Sequence, residues 1–470
     1  MIKKSTLIVL LALGGCSLAP TYQRPAAPIA AAWPDSAKPA GTRNMPDWQT
    51  YFPDPRLQAL IFSALENNRD LRIATARIAE ARAQYGIQKS ASLPNVGLNV
   101  SRNASLTPAS TSFTGKPFQM QRYDVNANLV SFELDFWGRV RSLNEAAKES
   151  YLATESAQRA FRLSLISDVA NAYLSVLELQ ERSRLAASTA KGRSQMLSLV
   201  SRRRDVGVAS ELDALQADGV YQAALADQAD LERQLAAAQN LLTSLVGEMP
   251  KNLPEGRTLE AQGIAPDLIA GLPAQVLLQR PDVLAAEQRL MAANANIGAA
   301  RAAFLPSINL TGSFGSASSQ LSGLFGPGSD AWSFQPALTM PLFDAGKNFA
   351  SLDVAEARKV IAVADYEKTI QQAFREVADL LNARDTLTAR LDAQRHNADA
   401  QRQRLQLVDA RYQAGVASSL ELLDAERDSY AAAQTELQAR FAQLAAATQL
   451  YKALAGETAE TGKDAADDRR

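Results

Sequence analysis

The ten residues Arg203-Arg204-Asp205-Val206-Gly207-Val208-Ala209-Ser210-Glu211-Leu212 return as Arg411-Tyr412-Gln413-Ala414-Gly415-Val416-Ala417-Ser418-Ser419-Leu420, 208 positions later. Across 203–217, eight of fifteen residues are identical in the second copy. Another stretch repeats at nearly the same distance. Residues 70–101 align with 282–313 at an offset of 212, with eleven of 32 positions identical and Leu93-Pro94 falling on Leu305-Pro306. A chain duplicated on this scale folds as two copies of one unit, and the unit is what must be read.

Over 55–92 a helical pattern runs without interruption: Leu57, Leu60, Ile61, Ala64 and Leu65, then Ile73, Ala76, Ile78 and Ala81. It stops before Pro94, which restricts its predecessor. The apolar period then changes from 3.6 to 2, predicting a strand at about 95–101 through Val96, Leu98 and Val100. A polar loop is expected over 102–121, then a second strand at about 122–136. Its apolar set is Tyr123, Val125, Ala127 and Leu129, and at Val130 the phase slips to Phe132, Leu134 and Phe136. A one-residue slip turns side chains to the opposite face, so a bulge or bend belongs near 129–130. Gly138 marks the change to a helix that runs from about 139 to 204 without proline. If continuous, it is roughly 100 Å long and needs partners along most of its length.

The repeated motif is the far end of that helix. Gly207 just past the helix supplies a left-handed C-cap at little steric cost, and Ser210 is a natural N-cap for the return helix. The hairpin tips are placed at about 205–210 and 413–418. The second half repeats the order, with strands at about 307–316 and 331–343, Gly346 in the place of Gly138, a long helix at 347–412 and a return helix to about 454. The unit is therefore α–β–β–α–turn–α, made twice: 54–248 and 273–456, joined by a Pro/Gly-punctuated connection at 249–272.

The N-terminus reads as an address. Lys3-Lys4 precedes an apolar run at 7–13 and then Leu13-Gly14-Gly15-Cys16. The run is too short to span a bilayer, which takes about 20 residues. The combination fits a signal peptide at 1–15 with Cys16 as a lipidated first mature residue, carrying diacylglycerol and an N-acyl chain; an ordinary signal peptide with an incidental Cys is the plainer alternative. Ser17 next to the Cys suits export to the outer membrane. Residues 16–53 form a Pro/Ala-rich tether expected to be extended rather than packed, and 457–470 a charged, disordered tail.

Charge and composition exclude several classes. Lys+Arg 49 against Asp+Glu 50 leaves no basic field for nucleic acid. One Cys and one His leave no intramolecular disulfide and no metal cluster. A His-based catalytic apparatus would rest on His396, in a polar helical run that reads as a solvated face. No nucleophile–base pair or phosphate loop stands out, so no enzyme and no cofactor is expected.

The strands carry the membrane argument. They alternate apolar with small polar residues, are long enough to cross a bilayer when tilted, and no mature helix is apolar enough to do so. In a soluble domain the apolar face would cover a core. In lipid, four strands cannot close, and an open edge leaves backbone groups unpaired at several kcal/mol each. Other copies must then complete the sheet. Three chains supply 12 strands, wide enough for a water-filled pore, while two or four chains stay open on this reasoning. The Ala/Leu-striped helices suit a coiled-coil wall with a wet inner face.

Several motifs in order resemble the outer membrane factor family, the TolC-like exit ducts of tripartite pumps, in its OprM-like lipoprotein branch. They are the lipobox, Tyr22-Gln23-Arg24-Pro25, Glu133-Leu134-Asp135-Phe136-Trp137-Gly138-Arg139, Gln279-Arg280-Pro281-Asp282, Ala299-Ala300-Arg301-Ala302-Ala303-Phe304-Leu305-Pro306, Phe374-Arg375-Glu376-Val377-Ala378-Asp379 and both tips. The resemblance implies a mixed α and β membrane protein: a homotrimer with a 12-stranded transmembrane β-barrel and a long α-helical periplasmic coiled-coil barrel. It implies passive efflux of small molecules such as antibiotics, with a periplasmic membrane fusion adaptor and an inner-membrane RND transporter as partners. The tips Gly207, Val208, Ala209, Ser210 and Gly415, Val416, Ala417, Ser418 would meet the adaptor. A periplasmic gate would fall on Leu420, Asp424 and Arg427, which lie on one helix face; the first copy has Leu212, Gln216 and Gly219 there, so the acidic ring is expected from the second repeat alone. A type I protein-secretion duct shares this architecture, and a lipid-anchored structural coiled coil without a pore is the alternative from another class.

Overall fold

The computed structural model describes residues 18–30, 47–264 and 274–454. The expected signal peptide, Cys16, part of the tether, part of the inter-repeat connection and the 457–470 tail lie outside the described residues. The helices are α1 (Trp48–Tyr51), α2 (Pro55–Asn67), α3 (Arg69–Ser90), α4 (Arg139–Asp205), α5 (Glu211–Val246), α6 (Pro281–Ala302), α7 (Lys347–Gln413) and α8 (Ser419–Leu454). The strands are β1 (Val96–Thr107), β2 (Phe118–Leu134), β3 (Ser307–Ser318) and β4 (Asp330–Thr339).

The chain divides into two compact units. The first gathers Arg77–Ser156, Ala285–Lys368 and the described residues up to Ala26; the second holds the rest. In the first unit the strands form one antiparallel sheet in the order β1-β2-β3-β4. β1 runs on to Thr107, because the ladder to β2 continues through Arg102, Asn103 and Ser105 up to the pair Thr107 and Phe118. The loop is thus 108–117 rather than 102–121; backbone pairing carries polar residues that broke the apolar alternation. β2 ends at Leu134 rather than 136, since the Asp135 carboxylate turns to cap α4, accepting from the N–H groups of Val140 (3.0 Å) and Arg141 (2.8 Å). β4 ends at Thr339 rather than 343, because its last ladder partner is Ser307, where β3 begins.

The N-terminal stretch is better ordered than an extended tether. Glu287 of α6, almost fully buried, accepts from Tyr22 Oη (2.9 Å), Arg24 Nε (2.6 Å) and Arg24 Nη2 (2.7 Å). Asn294 Nδ2 donates to the Pro20 carbonyl at 2.6 Å. Gly298 lets this strap lie flat on α6: a Cβ there would meet the Ala19 backbone nitrogen at 2.7 Å.

The core of the second unit explains the other end of the stretch. Trp48, Tyr51 and Phe52 are buried with Leu57, Leu60, Ile61, Ile166, Val169, Leu174, Val246 and Tyr451. Tyr51 and Tyr451 rings lie 4.7 Å apart. Aromatic side chains of this size bury enough area to outweigh the ordering of a short segment.

The helix expected to run unbroken over 55–92 is interrupted at Asn68, whose ψ of 128° is extended. Its side chain caps α3 through the Leu71 N–H (2.9 Å) and donates to the Leu245 carbonyl (2.8 Å). Asp54 is the corresponding hub at the start of α2. Fully buried, it accepts from the N–H groups of Arg56 and Arg257 and from Tyr173 Oη and Gln262 Nε2 at 2.8–3.0 Å. Asp54→Ala removes a cap and strands those donors, and is expected to cost about 3 kcal/mol, seen as a lower melting temperature and faster proteolysis.

Two motifs far apart in sequence meet here. The buried Arg280 guanidinium binds Asp282 (2.8 Å), Glu376 (3.0 Å) and the Ala453 carbonyl (2.9 Å). In the first unit, Arg139 pairs with Glu133, and Trp137 Nε1 donates to the Pro306 carbonyl at 2.7 Å. The motifs that carry the family resemblance are therefore stitching points of the fold.

Candidate functional site

Paired residues of an antiparallel ladder point to the same side of the sheet. Val96, Leu98 and Val100 therefore share a face with Val125, Ala127 and Leu129, with Ile308, Leu310 and Phe314, and with Trp332, Phe334 and Leu338. The opposite face carries Asn99, Ser101 and Asn103, Asp124, Asn126 and Asn128, Ser313, Ser333 and Gln335. Among the described residues nothing covers the apolar face: Leu98 and Trp332 are each 76% exposed.

Keeping one face apolar requires a correction along β2, and the chain makes it with one extra residue. Leu129 pairs with Gly312 and Phe132 with Leu310, with the register shift between them. Ser131 takes a φ of 50°, and its N–H reaches Thr311 Oγ1 at 3.4 Å. Tyr123, Val125, Ala127 and Leu129 before the bulge and Phe132 and Leu134 after it thereby point the same way.

In the second unit the two tips have the same backbone chemistry. Gly207 (φ 79°) and Gly415 (φ 75°) close both long helices with a Schellman turn. Gly207 N–H donates to Arg204 O and Val208 N–H to Arg203 O, each at 2.8 Å; Gly415 N–H donates to Tyr412 O (3.0 Å) and Val416 N–H to Arg411 O (2.9 Å). A Cβ at either glycine would meet nothing, so the left-handed φ alone favours glycine there. Ser210 and Ser418 cap the return helices, accepting from the Asp213 (3.1 Å) and Glu421 (3.2 Å) N–H groups. Gly207, Val208 and Ser210, like Gly415, Val416 and Ser418, are exposed, while Ala209 and Ala417 are half-buried.

The tips are tied together. Ser419 Oγ donates to Asp213 Oδ1 at 3.2 Å, and Arg203 Nη1 to Tyr412 Oη at 3.2 Å. Hydrogen bonds from the Ser210 side chain, then its backbone, then Ser419 hold the Asp213 carboxyl below the usual carboxylate range. A depressed folded pKa contributes stability above the unfolded value and loses it as pH falls through the folded one. The protection factors of the 207–214 amides, which divide out the base-catalysed intrinsic rate, are therefore expected to be unchanged between pH 7 and 5 and to fall only below about pH 4; Asp213→Asn should remove that acid dependence.

Leu420, Asp424 and Arg427 stand on one face of α8, with Leu420 56% exposed. Arg427 Nη1 lies 3.2 Å from Asp424 Oδ1. Its Nε and Nη2 also donate to Asp428 Oδ1 (3.3 and 3.2 Å), and Arg404 of α7 donates to Asp428 Oδ2 at 2.7 Å. Asp428 was not singled out from the sequence, although it sits next to Arg427 and one turn from Asp424. Further along, Glu178, Arg182, Gln434, Tyr430 and Asp227 form a chain of side-chain hydrogen bonds, with Arg193 over the Tyr430 ring. Burial, then the bond to Asp227, pushes the Tyr430 hydroxyl up to about 12, and burial pushes the Glu426 carboxyl up against the pull of Arg193. Two of these pairs are one helical turn apart, but Tyr430 and Asp227 are 203 positions apart and Arg182 and Gln434 are 252 apart, which local spacing does not reveal. His396 bonds the Asp392 carbonyl of its own helix and is exposed.

The family model described as outer membrane efflux protein matches residues 60–248 and again 272–456, once for each repeat. The chain is 44% identical over 462 residues to the solvent efflux pump outer membrane protein SrpC of Pseudomonas putida, covering 97% of this chain and 98% of that protein. It is 44% identical over 434 residues to the outer membrane protein OprJ of Pseudomonas aeruginosa, covering 91% and 90%. Its fold matches the open-state crystal structure of the MtrE outer membrane channel of Neisseria gonorrhoeae with a TM-score of 0.85 at 38% identity, covering 94% of this chain and 98% of that one. The resemblance read from the motifs, the outer-membrane location and the efflux role all agree with these matches. The chain belongs to the outer membrane efflux protein family.

Proposed function

We propose that three copies of this chain form the exit duct of a tripartite efflux pump, a passive conduit for small molecules. The observation that carries this reading is the sheet: one face apolar, the other polar, and, among the described residues, nothing over the apolar face and no partner at the outer edges of β1 and β4. Joined edge to edge, three such sheets make a 12-stranded barrel with lipid outside and water inside. The long hairpins line a periplasmic tunnel, and their tips meet a membrane fusion adaptor that links the duct to an inner-membrane RND transporter. Leu420, Asp424 and Arg427 narrow its periplasmic end. SrpC is named for solvent efflux, which supports small organic compounds as cargo; antibiotics are proposed with them.

Lipidation of Cys16 fits the strap. Leu18, whose carbonyl is held by Arg301 Nη1 at 3.5 Å, sits beside the end of α6, shortly before β3 begins. An anchor on Cys16, two residues upstream of Leu18, would start from this end of the unit. Native mass spectrometry of the purified protein should give three chains, each heavier by a diacylglycerol and an N-acyl group such as palmitate. Planar bilayers should show conductance; a non-conducting monomer would overturn the duct.

A further inference from the structure

On the apolar face, the paired levels run from Ile308, next to Leu338, up to Ser318, next to Tyr123. Ten residues at about 3.4 Å each, tilted by about 40°, climb roughly 26 Å, against an apolar band of about 25 Å in outer-membrane barrels. Tyr123 and its β1 partner Arg102 thus mark the level where the face leaves hydrocarbon, at the hairpin end of the sheet and away from the helices.

Two arginines lie near this level, and they differ. Arg122, on the polar face, donates to both oxygens of Asp124 (2.8 and 3.0 Å). Arg102, on the apolar face, has its guanidinium 5.6 Å from the Tyr123 ring centroid, and among the described residues no carboxylate pairs with it. Its neighbours on that face are Val100, Ala104, Val125 and, on the diagonal, Gln121. The nearest acid on the face is Asp330, one level lower and three strands away within the chain. A cation oriented by a ring, with an amide donor beside it at the rim of an apolar face, suits the oxygens of a phosphate whose acyl chains lie along Val96, Leu98 and Val100.

We propose that Arg102, with Tyr123 and Gln121, binds the phosphate of a lipid headgroup in the outer leaflet of the outer membrane. The site rests on the barrel reading, and the two can fail separately. Native mass spectrometry of the full-length protein in detergent would compare diphosphorylated lipid A with the same lipid stripped of its phosphates. The wild type should bind the phosphorylated form at least tenfold more tightly. Arg102→Gln should erase that preference, and Arg102→Lys should retain part of it. Asp330→Asn should leave it unchanged.

Equal binding of the two lipids by the wild type, which needs no variant, overturns the site. So does an unaltered preference in Arg102→Gln, or displacement of the lipid by inorganic phosphate at the lipid's own concentration. Loss of trimer in both Arg102→Gln and Asp330→Asn, with no lipid preference, would mean that Arg102 pairs with Asp330 of a second copy, and this also overturns it. The barrel reading has its own check. Trp332, on the same face, should be quenched by lipids with brominated chains, measured as the difference from Trp332→Phe; absence of quenching rejects the barrel rather than the phosphate site alone.

Discussion

Replacing Asp424 and Arg427 together by alanine is expected to raise single-channel conductance in planar bilayers severalfold. The pair is partly exposed, so each copy contributes only about 0.5 kcal/mol. Three copies about one axis add to roughly 1.5 kcal/mol, a shift of about tenfold in a closed-to-open ratio. The structure sharpens which variant matters. Asp424→Ala alone leaves Arg427 bonded to Asp428, itself held by Arg404, so the single change should have the smaller effect. The double change would remove both the proposed acidic ring and its cation. Unchanged conductance in the double variant would reject these residues as the gate.

Deleting Ser131 is expected to reduce trimer yield at least tenfold. Without the extra residue, the half of β2 before the bulge or the half after it turns over. Either Asn126 and Asn128 point at lipid, or Phe132 and Leu134 point at water. A one-residue slip changes every side chain beyond it, and polar side chains facing lipid are costly. Ser131→Gly should assemble normally, since glycine adopts the φ of 50° at no steric cost. Heat-resistant trimers on denaturing gels, quantified beside total protein, separate the two outcomes; full assembly of the deletion would remove the bulge from the account.

The phase slip on which this rests was legible in the sequence, because an alternation of period 2 exposes any extra residue. So were the tips, since glycine at a helix end and serine three positions on are local devices. Strand ends were less legible. β1 continues through Arg102, Asn103 and Ser105 because its partner strand does, and no residue within β1 announces that. The same holds for the break at Asn68, where a good helical pattern yields to a cap and a bond to Leu245, 177 positions away.

The sequence by itself determined the duplication, the order of elements in each repeat, the two-faced strands and the helix-ending tips. The duplication shows as identities at offsets of 208 and 212, and the strands and tips are set within about ten residues by periodicity, caps and turn-forming residues. Only the tertiary structure decided that the stretch after Cys16 is strapped to α6 through Glu287, that Arg280 clamps Glu376, and that Asp213 ties the two tips. It also decided that Arg427 shares its charge with Asp428 and Arg404, while Arg102 lies on the apolar face of the sheet beside the Tyr123 ring. The reason is physical: a charge is placed by the partner that compensates it, and these partners come from segments that only folding brings together.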